Sequence, residues 1–169
     1  MTMTTNEQRL PAEWEPQGAV LIAWPHSGTD WDYMLDEVHE CYRNMASAIS
    51  RFAMLVVIGP DPEEIKRELD FIDPARLRVI AVETNGTWTR DYGAITTLDA
   101  NGRPTLHDFC FNGWGLKFAS CHDNLATRAL VAKGILPRDG YDNRLGFVLE
   151  GGSIDSDGNG TLLTTSACL

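Results

Sequence analysis

Residues 18–60 read GAVLIAWPHSGTDWDYMLDEVHECYRNMASAISRFAMLVVIGP. Two continuous apolar runs, 18–24 and 54–58, flank a segment with helical periodicity. Each run has the length of a buried strand, and proline or Gly-Pro closes it. Between them Trp31, Met34, Leu35, Val38, Cys41, Tyr42, Met45, Ile49 and Phe52 recur at steps of three and four. That spacing predicts one face of an amphipathic helix over 31–52. Thr29 or Asp30 stands where such a helix takes its N-cap. Strand, helix and second buried strand place the chain in the α/β class.

The same reading extends outward. Residues 62–69, after Asp61, read as a short charged helix, and 77–82 as a third strand. Residues 94–98 and 105–111 are strand-like runs around the turn DANGRP. A helix is expected over 123–133, with Leu125, Ala129, Val131 and Ala132 on its apolar face. Residues 146–149 read as a strand, and DSDGNG at 155–160 marks a hairpin between 153–154 and 161–165. The hairpins depart from a regular βαβ winding. Residues 1–9 read as a flexible polar leader, and no linker divides residues 10–169.

A net charge of −10, from 14 basic and 24 acidic residues, argues against a nucleic-acid surface and is compatible with a cationic small-molecule substrate. Acidity that serves only solubility is the plainer alternative. No apolar run approaches the ~20 residues of a membrane span, and the polar start has no signal-peptide core, so a cytoplasmic protein is expected. Cys41, Cys110, Cys121 and Cys168 fit neither a zinc site nor a disulfide framework and read as reduced thiols. Neither GxGxxG nor a P-loop motif occurs.

The densest polar-aromatic segment is TNGTWTRDYG, residues 84–93, directly after a predicted strand. Loops at strand ends are where α/β proteins build sites. Trp88 offers an indole face to a delocalised cation, and Asp91 offers a carboxylate that accepts two parallel N–H bonds. Equally, Arg90 and Asp91 could pair at a surface turn with Trp88 in the core. FNGWG at 111–115 is an aromatic-glycine turn whose Trp114 reads mainly as packing. Glu150, at the end of an apolar strand, must be paired; it could orient a histidine, bind a cation or cap a backbone amine. His26, His39, His107 and His122 lack metal-site spacing, and His26 reads as loop filler.

Four segments in order carry a family resemblance: LPAEWEPQGAVLIAWP at 10–25, TWTRDYGA at 87–94, FNGWG at 111–115 and LEGGSIDSDGNGTLLTTSACL at 149–169. Together they resemble the N-terminal half of the agmatine deiminase and bacterial, Porphyromonas-type peptidylarginine deiminase family. The resemblance implies part of a five-bladed propeller of ββαβ modules, two to two and a half blades, with neither metal nor organic cofactor. It implies hydrolysis of a guanidinium group through a cysteine amidino-thioether. Agmatine would give N-carbamoylputrescine and ammonia, in putrescine formation; peptidyl or free arginine would give citrulline.

By the same resemblance Asp91 holds the guanidinium and Glu150 orients the catalytic histidine. Trp88 walls the pocket with Trp114 nearby, and Arg90 ties blades by a salt bridge. The family's H-x-D motif and G-G-G-x-x-H-C nucleophile segment lie downstream of the T-L-L-T-T hairpin and do not occur here. Cys168, after T-T-S-A, does not match the nucleophile motif. The 169 residues are therefore expected to be inactive alone and to need the missing C-terminal half or another copy. A non-catalytic cation-binding module and a purely structural fragment remain the alternatives.

Overall fold

The computed structural model describes residues 8–168. These residues form two compact units that interleave along the chain.

The first unit comprises Pro16–Thr89 and Asn112–Ala126. Its three-stranded sheet has the order β1 (Ala19–Ala23), β2 (Met54–Gly59), β3 (Leu77–Ala81), and both pairings are parallel. Leu21 lies opposite Val56, and Val57 opposite Val79. Parallel neighbours require crossovers. Helix α1 (Leu35–Ser50) connects β1 to β2, and α2 (Pro62–Glu68) connects β2 to β3.

Trp24, Ala46, Leu55, Val57, Ile65, Leu69 and Ile72 form one buried cluster, with Tyr42 and Ile49 packed on it. The buried stripe of α1 thus runs Val38, Tyr42, Ala46, Ile49. Cys41 is exposed, and Met45 and Phe52 are 38% and 85% exposed, so they leave the face that periodicity alone predicts. They sit to one side of a stripe centred on Ala46, which is too small to register as apolar spacing.

The expected N-cap is also corrected. Met34 occupies the N-cap position of α1 without a side-chain bond, because a 3-10 turn, Asp32–Met34, precedes the helix. Asp61 does cap α2, accepting from the backbone N–H groups of Glu63 and Glu64 at 3.0 and 2.9 Å, with Pro62 in the first turn.

The second unit comprises Met1–Glu15, Arg90–Phe111 and Thr127–Leu169. Strands β4 (Ile95–Leu98) and β5 (Pro104–Cys110) form the expected hairpin, and β6 (Tyr141–Val148) pairs parallel to β5. Strand β6 starts five residues before the apolar run at 146–149, because DNRL is recruited by backbone pairing. The Tyr141 hydroxyl donates to buried Asp108 Oδ2 at 2.7 Å, fixing β6 against β5. Strands β7 (Ile154–Ser156) and β8 (Leu162–Thr164) form the second hairpin.

Residues 1–7 of the polar leader lie outside the described residues. Arg9 exchanges two backbone hydrogen bonds with Leu98, at 3.0 and 2.9 Å, and its guanidinium pairs with Glu15. That pair holds the Glu15 carboxyl down at about 2, the Arg9 hydrogen bond being the main cause.

Three short elements complete the chain: α3 (Thr89–Tyr92), a single turn α4 (Gly113–Leu116) and α5 (Asp123–Ala132). On α5 the buried residues are Asp123, Ala126, Thr127 and Leu130, while Leu125 is 46% exposed, so the apolar face lies one residue round from the predicted one. All four cysteines are free thiols. No helix among the described residues is long and apolar enough to cross a membrane.

Candidate functional site

Asp91 lies in α3 of the second unit, half-buried, where the segment after β3 closes into one helical turn. Its Oδ1 accepts the backbone N–H of Gly152 at 3.1 Å. Gly152 belongs to the 3-10 turn Gly151–Ser153, which ends β6 and starts β7. Both glycines are needed there. A Cβ at 151 would meet the Arg90 carbonyl oxygen, and one at 152 would meet Asp91 Oδ1. The EGG sequence is thus read by the backbone and carboxylate of the R-D pair.

Glu150 is half-buried just before this turn. Burial, and then the neighbouring Asp91 carboxylate, raise its carboxyl above the ordinary value. Its side chain has no hydrogen-bond partner among the described residues, so Glu150 keeps acceptor capacity beside a second acid. Arg90 turns away: Nη2 lies 2.7 Å from Glu13 Oε1 and donates to the Ile154 carbonyl at 3.0 Å.

Trp88 belongs to the first unit and is 44% exposed. Trp114 stands edge-on to it, with ring centroids 5.9 Å apart at 86°, and Phe118 stands edge-on to Trp114 at 5.5 Å. Trp31 flanks Trp88 at 6.3 Å. The Trp114 backbone is left-handed, with φ 55°, and is held by Asn112 Oδ1 accepting the Gly115 N–H at 2.8 Å. The FNGWG turn therefore presents an aromatic ring to Trp88, as well as packing it.

The root of the TNGTWTRDYG loop is organised by Asp123, a residue that sequence reasoning did not single out. Its buried Oδ1 accepts the N–H groups of Asn85 at 2.8 Å and Gly86 at 3.2 Å. Asn85 Oδ1 in turn accepts the His122 N–H at 2.7 Å. Burial raises the Asp123 carboxyl, and the two N–H bonds oppose that shift. Trp31, counted above only as a helix-face residue, donates its indole N–H to Thr87 Oγ1 at 2.9 Å. An Asn-Gly step followed by an acid at the start of a distant helix is the pattern that could have flagged this clamp.

His26 does more than fill a loop: its Nε2 lies 3.2 Å from Thr84 Oγ1 at the start of the same segment. Cys168, exposed near the end of the chain, lies 3.2 Å from the Thr165 hydroxyl. Among the described residues no group of three or more His, Cys, Asp or Glu could hold a metal. Within each unit the structure brings together one expected pair: Asp91 with Glu150, and Trp88 with Trp114.

Known proteins match the chain along nearly its whole length. The family model for Porphyromonas-type peptidyl-arginine deiminase matches residues 9–169. The agmatine deiminase of Stutzerimonas stutzeri (strain A1501) is 34% identical over 176 residues, covering 100% of this chain and 48% of the relative. That of Medicago truncatula is 33% identical, over 99% of this chain and 47% of the relative.

Among solved structures, a serine-for-cysteine variant of C. jejuni agmatine deiminase with substrate bound superposes with a TM-score of 0.86 at 32% identity, covering 100% of this chain and 49% of that one. A Porphyromonas gingivalis protein with a proposed arginine deiminase activity superposes with a TM-score of 0.83 at 49% identity, covering 96% of this chain and 48% of that one. The chain spans about half the length of the relatives it matches. Its α/β fold is part of the propeller fold of these deiminases. The chain belongs to the Porphyromonas-type peptidyl-arginine deiminase family, whose agmatine deiminases are hydrolases of guanidinium groups.

Proposed function

We propose that residues 10–169 form the N-terminal, guanidinium-binding part of a cysteine-dependent deiminase that converts agmatine to N-carbamoylputrescine and ammonia. The observation that carries this reading is the paired acids Asp91 and Glu150, with Asp91 aimed by the Gly152 N–H and Glu150 free of a hydrogen-bonded partner among the described residues. Asp91 accepts N–H bonds from the guanidinium and holds its carbon for attack. Glu150 orients the histidine that serves as general base. The exposed indole of Trp88 walls the substrate by cation–π contact, with Trp114 supporting it edge-on.

The nucleophilic thiolate, which lies outside this chain, adds to the guanidinium carbon. The C–N bond breaks, and the leaving nitrogen departs with a proton as ammonia. Water then adds to the amidino-thioether carbon, the C–S bond breaks and the thiolate returns. Splitting the reaction in this way suits a poor electrophile.

The net charge of −10 favours agmatine, a dication without a carboxylate. One observation favours an arginine substrate instead: the identity to the P. gingivalis protein, 49%, exceeds the 34% to the S. stutzeri agmatine deiminase. Ammonia release from agmatine, free arginine and an arginine peptide by the whole enzyme separates the two substrates, and a profile led by the peptide replaces agmatine. In that enzyme Asp91→Asn should lower agmatine turnover by about a thousandfold. Turnover retained by the variant would remove the reading. The 169-residue chain alone should release no ammonia from either substrate.

A further inference from the structure

Glu150 leads into the turn Gly151–Ser153, which lies in the second unit together with Asp91. Two consecutive glycines leave the backbone there unusually free. Ser153, half-buried, closes the turn. Its N–H donates to the Glu150 carbonyl at 3.1 Å, and its hydroxyl donates to the same carbonyl at 2.7 Å. A carbonyl oxygen has two lone pairs, and Ser153 engages both. The Ile154 N–H then donates to the Gly151 carbonyl. The shorter of the two bonds to Glu150 comes from a side chain, so a substitution can remove it without touching the main chain.

The same turn carries the Gly152 N–H that donates to Asp91 Oδ1 at 3.1 Å. Its closure therefore sets two things at once: the point from which the Glu150 side chain leaves, and the direction of the donor that holds Asp91. We infer that Ser153 is a positioning residue for the deiminase reaction, its hydroxyl locking the EGG turn so that Glu150 and Asp91 keep a fixed mutual geometry. The inference rests on the proposed function and deepens it. Loss of the hydroxyl leaves both carboxylates present as charges, so attraction for a guanidinium persists while alignment for attack is lost. The effect therefore belongs in kcat and not in KM.

The test measures ammonia release from agmatine by the whole enzyme and its variants. Ser153→Ala is expected to lower kcat about five- to tenfold with KM within about twofold. Ser153→Cys, close to serine in shape but a weak donor, should follow alanine and serves if the alanine variant fails to fold. Ser153→Thr keeps the hydroxyl and should restore kcat to within about twofold of wild type. Ser156→Ala is the control in the same hairpin, where the Ser156 hydroxyl donates to the Leu10 carbonyl at 2.8 Å. It should lower the melting temperature and leave kcat unchanged. A wild-type kcat in both the Ala and Cys variants, a threonine variant as slow as alanine, or an equal kcat loss in Ser156→Ala overturns the role of Ser153. A wild-type enzyme inactive on agmatine fails at the proposed function itself and takes this inference with it.

Discussion

The Gly152 N–H donates to Asp91 Oδ1 at 3.1 Å, and a Cβ at position 152 would fall on that same oxygen. The glycine thus both positions the carboxylate and leaves it room. Gly152→Ala should push the Asp91 side chain out of place while leaving the backbone largely intact. Agmatine turnover in the whole enzyme should then fall by about a hundredfold with little change in melting temperature. Gly151→Ala is the contrasting variant: its Cβ meets the Arg90 carbonyl, which is main chain and cannot swing aside. That variant should lose melting temperature as well as activity. Thermal melts and ammonia assays of the two proteins check both statements.

Glu150 should leave a signature in the pH dependence of stability. Burial, and then the Asp91 carboxylate, raise its carboxyl above the ordinary value of 4.5. A carboxyl raised in the folded state binds its proton more tightly there than in the unfolded chain. Its stabilising contribution is complete below 4.5 and is lost as pH rises through the folded value. Unfolding free energy should therefore carry a downward step above pH 4.5 that Glu150→Gln removes. Urea titrations of both proteins across this window give the difference directly. Identical slopes would mean that Glu150 is not desolvated beside Asp91.

Asp123 is buried, and its Oδ1 satisfies two backbone N–H groups at the root of the Trp88 loop. Asp123→Ala orphans both donors and should cost about 2–4 kcal/mol. Asp123→Asn keeps one acceptor oxygen and should cost roughly half as much. Equilibrium denaturation measures the pair. Similar losses for Ala and Asn would assign the effect to charge instead of hydrogen bonding.

Leu116 has φ 64° and is 86% exposed. The left-handed backbone costs a leucine about 1–2 kcal/mol, and so exposed a side chain regains little by packing. Leu116→Gly should raise stability by about 0.5–1 kcal/mol, after the extra chain entropy of glycine is subtracted. A melt or urea curve showing a loss would mean that the side chain is held by contacts worth more than the strain.

The sequence was most legible where one physical signal dominates. Continuous apolar runs located β1 and β2, Asp61-Pro62 located the start of α2, and DANGRP and DSDGNG located the two hairpin turns. It misled where a face had to be chosen. Ala46 carries little apolar signal yet centres the buried stripe of α1, while Phe52 carries much and lies in solvent. In α5, Ala126 and Leu130 are buried and Leu125 is not, because helical spacing fixes a period but leaves its phase to the neighbours.

The residue types of the candidate site were likewise visible in TNGTWTRDYG, FNGWG and LEGG, and by itself the sequence determined the α/β class, the family and the spacing of those segments. Local propensity and motif order are properties of contiguous residues, so the linear chain suffices for them. Only the tertiary structure decided that Gly152 aims Asp91, that Asp123 clamps Asn85 and Gly86, and that Asp30 reaches Trp88. These relationships join residues 61, 38, 37 and 58 positions apart. Their hydrogen bonds form only after burial of the apolar strands and helices has brought distant backbone and carboxylate groups within reach.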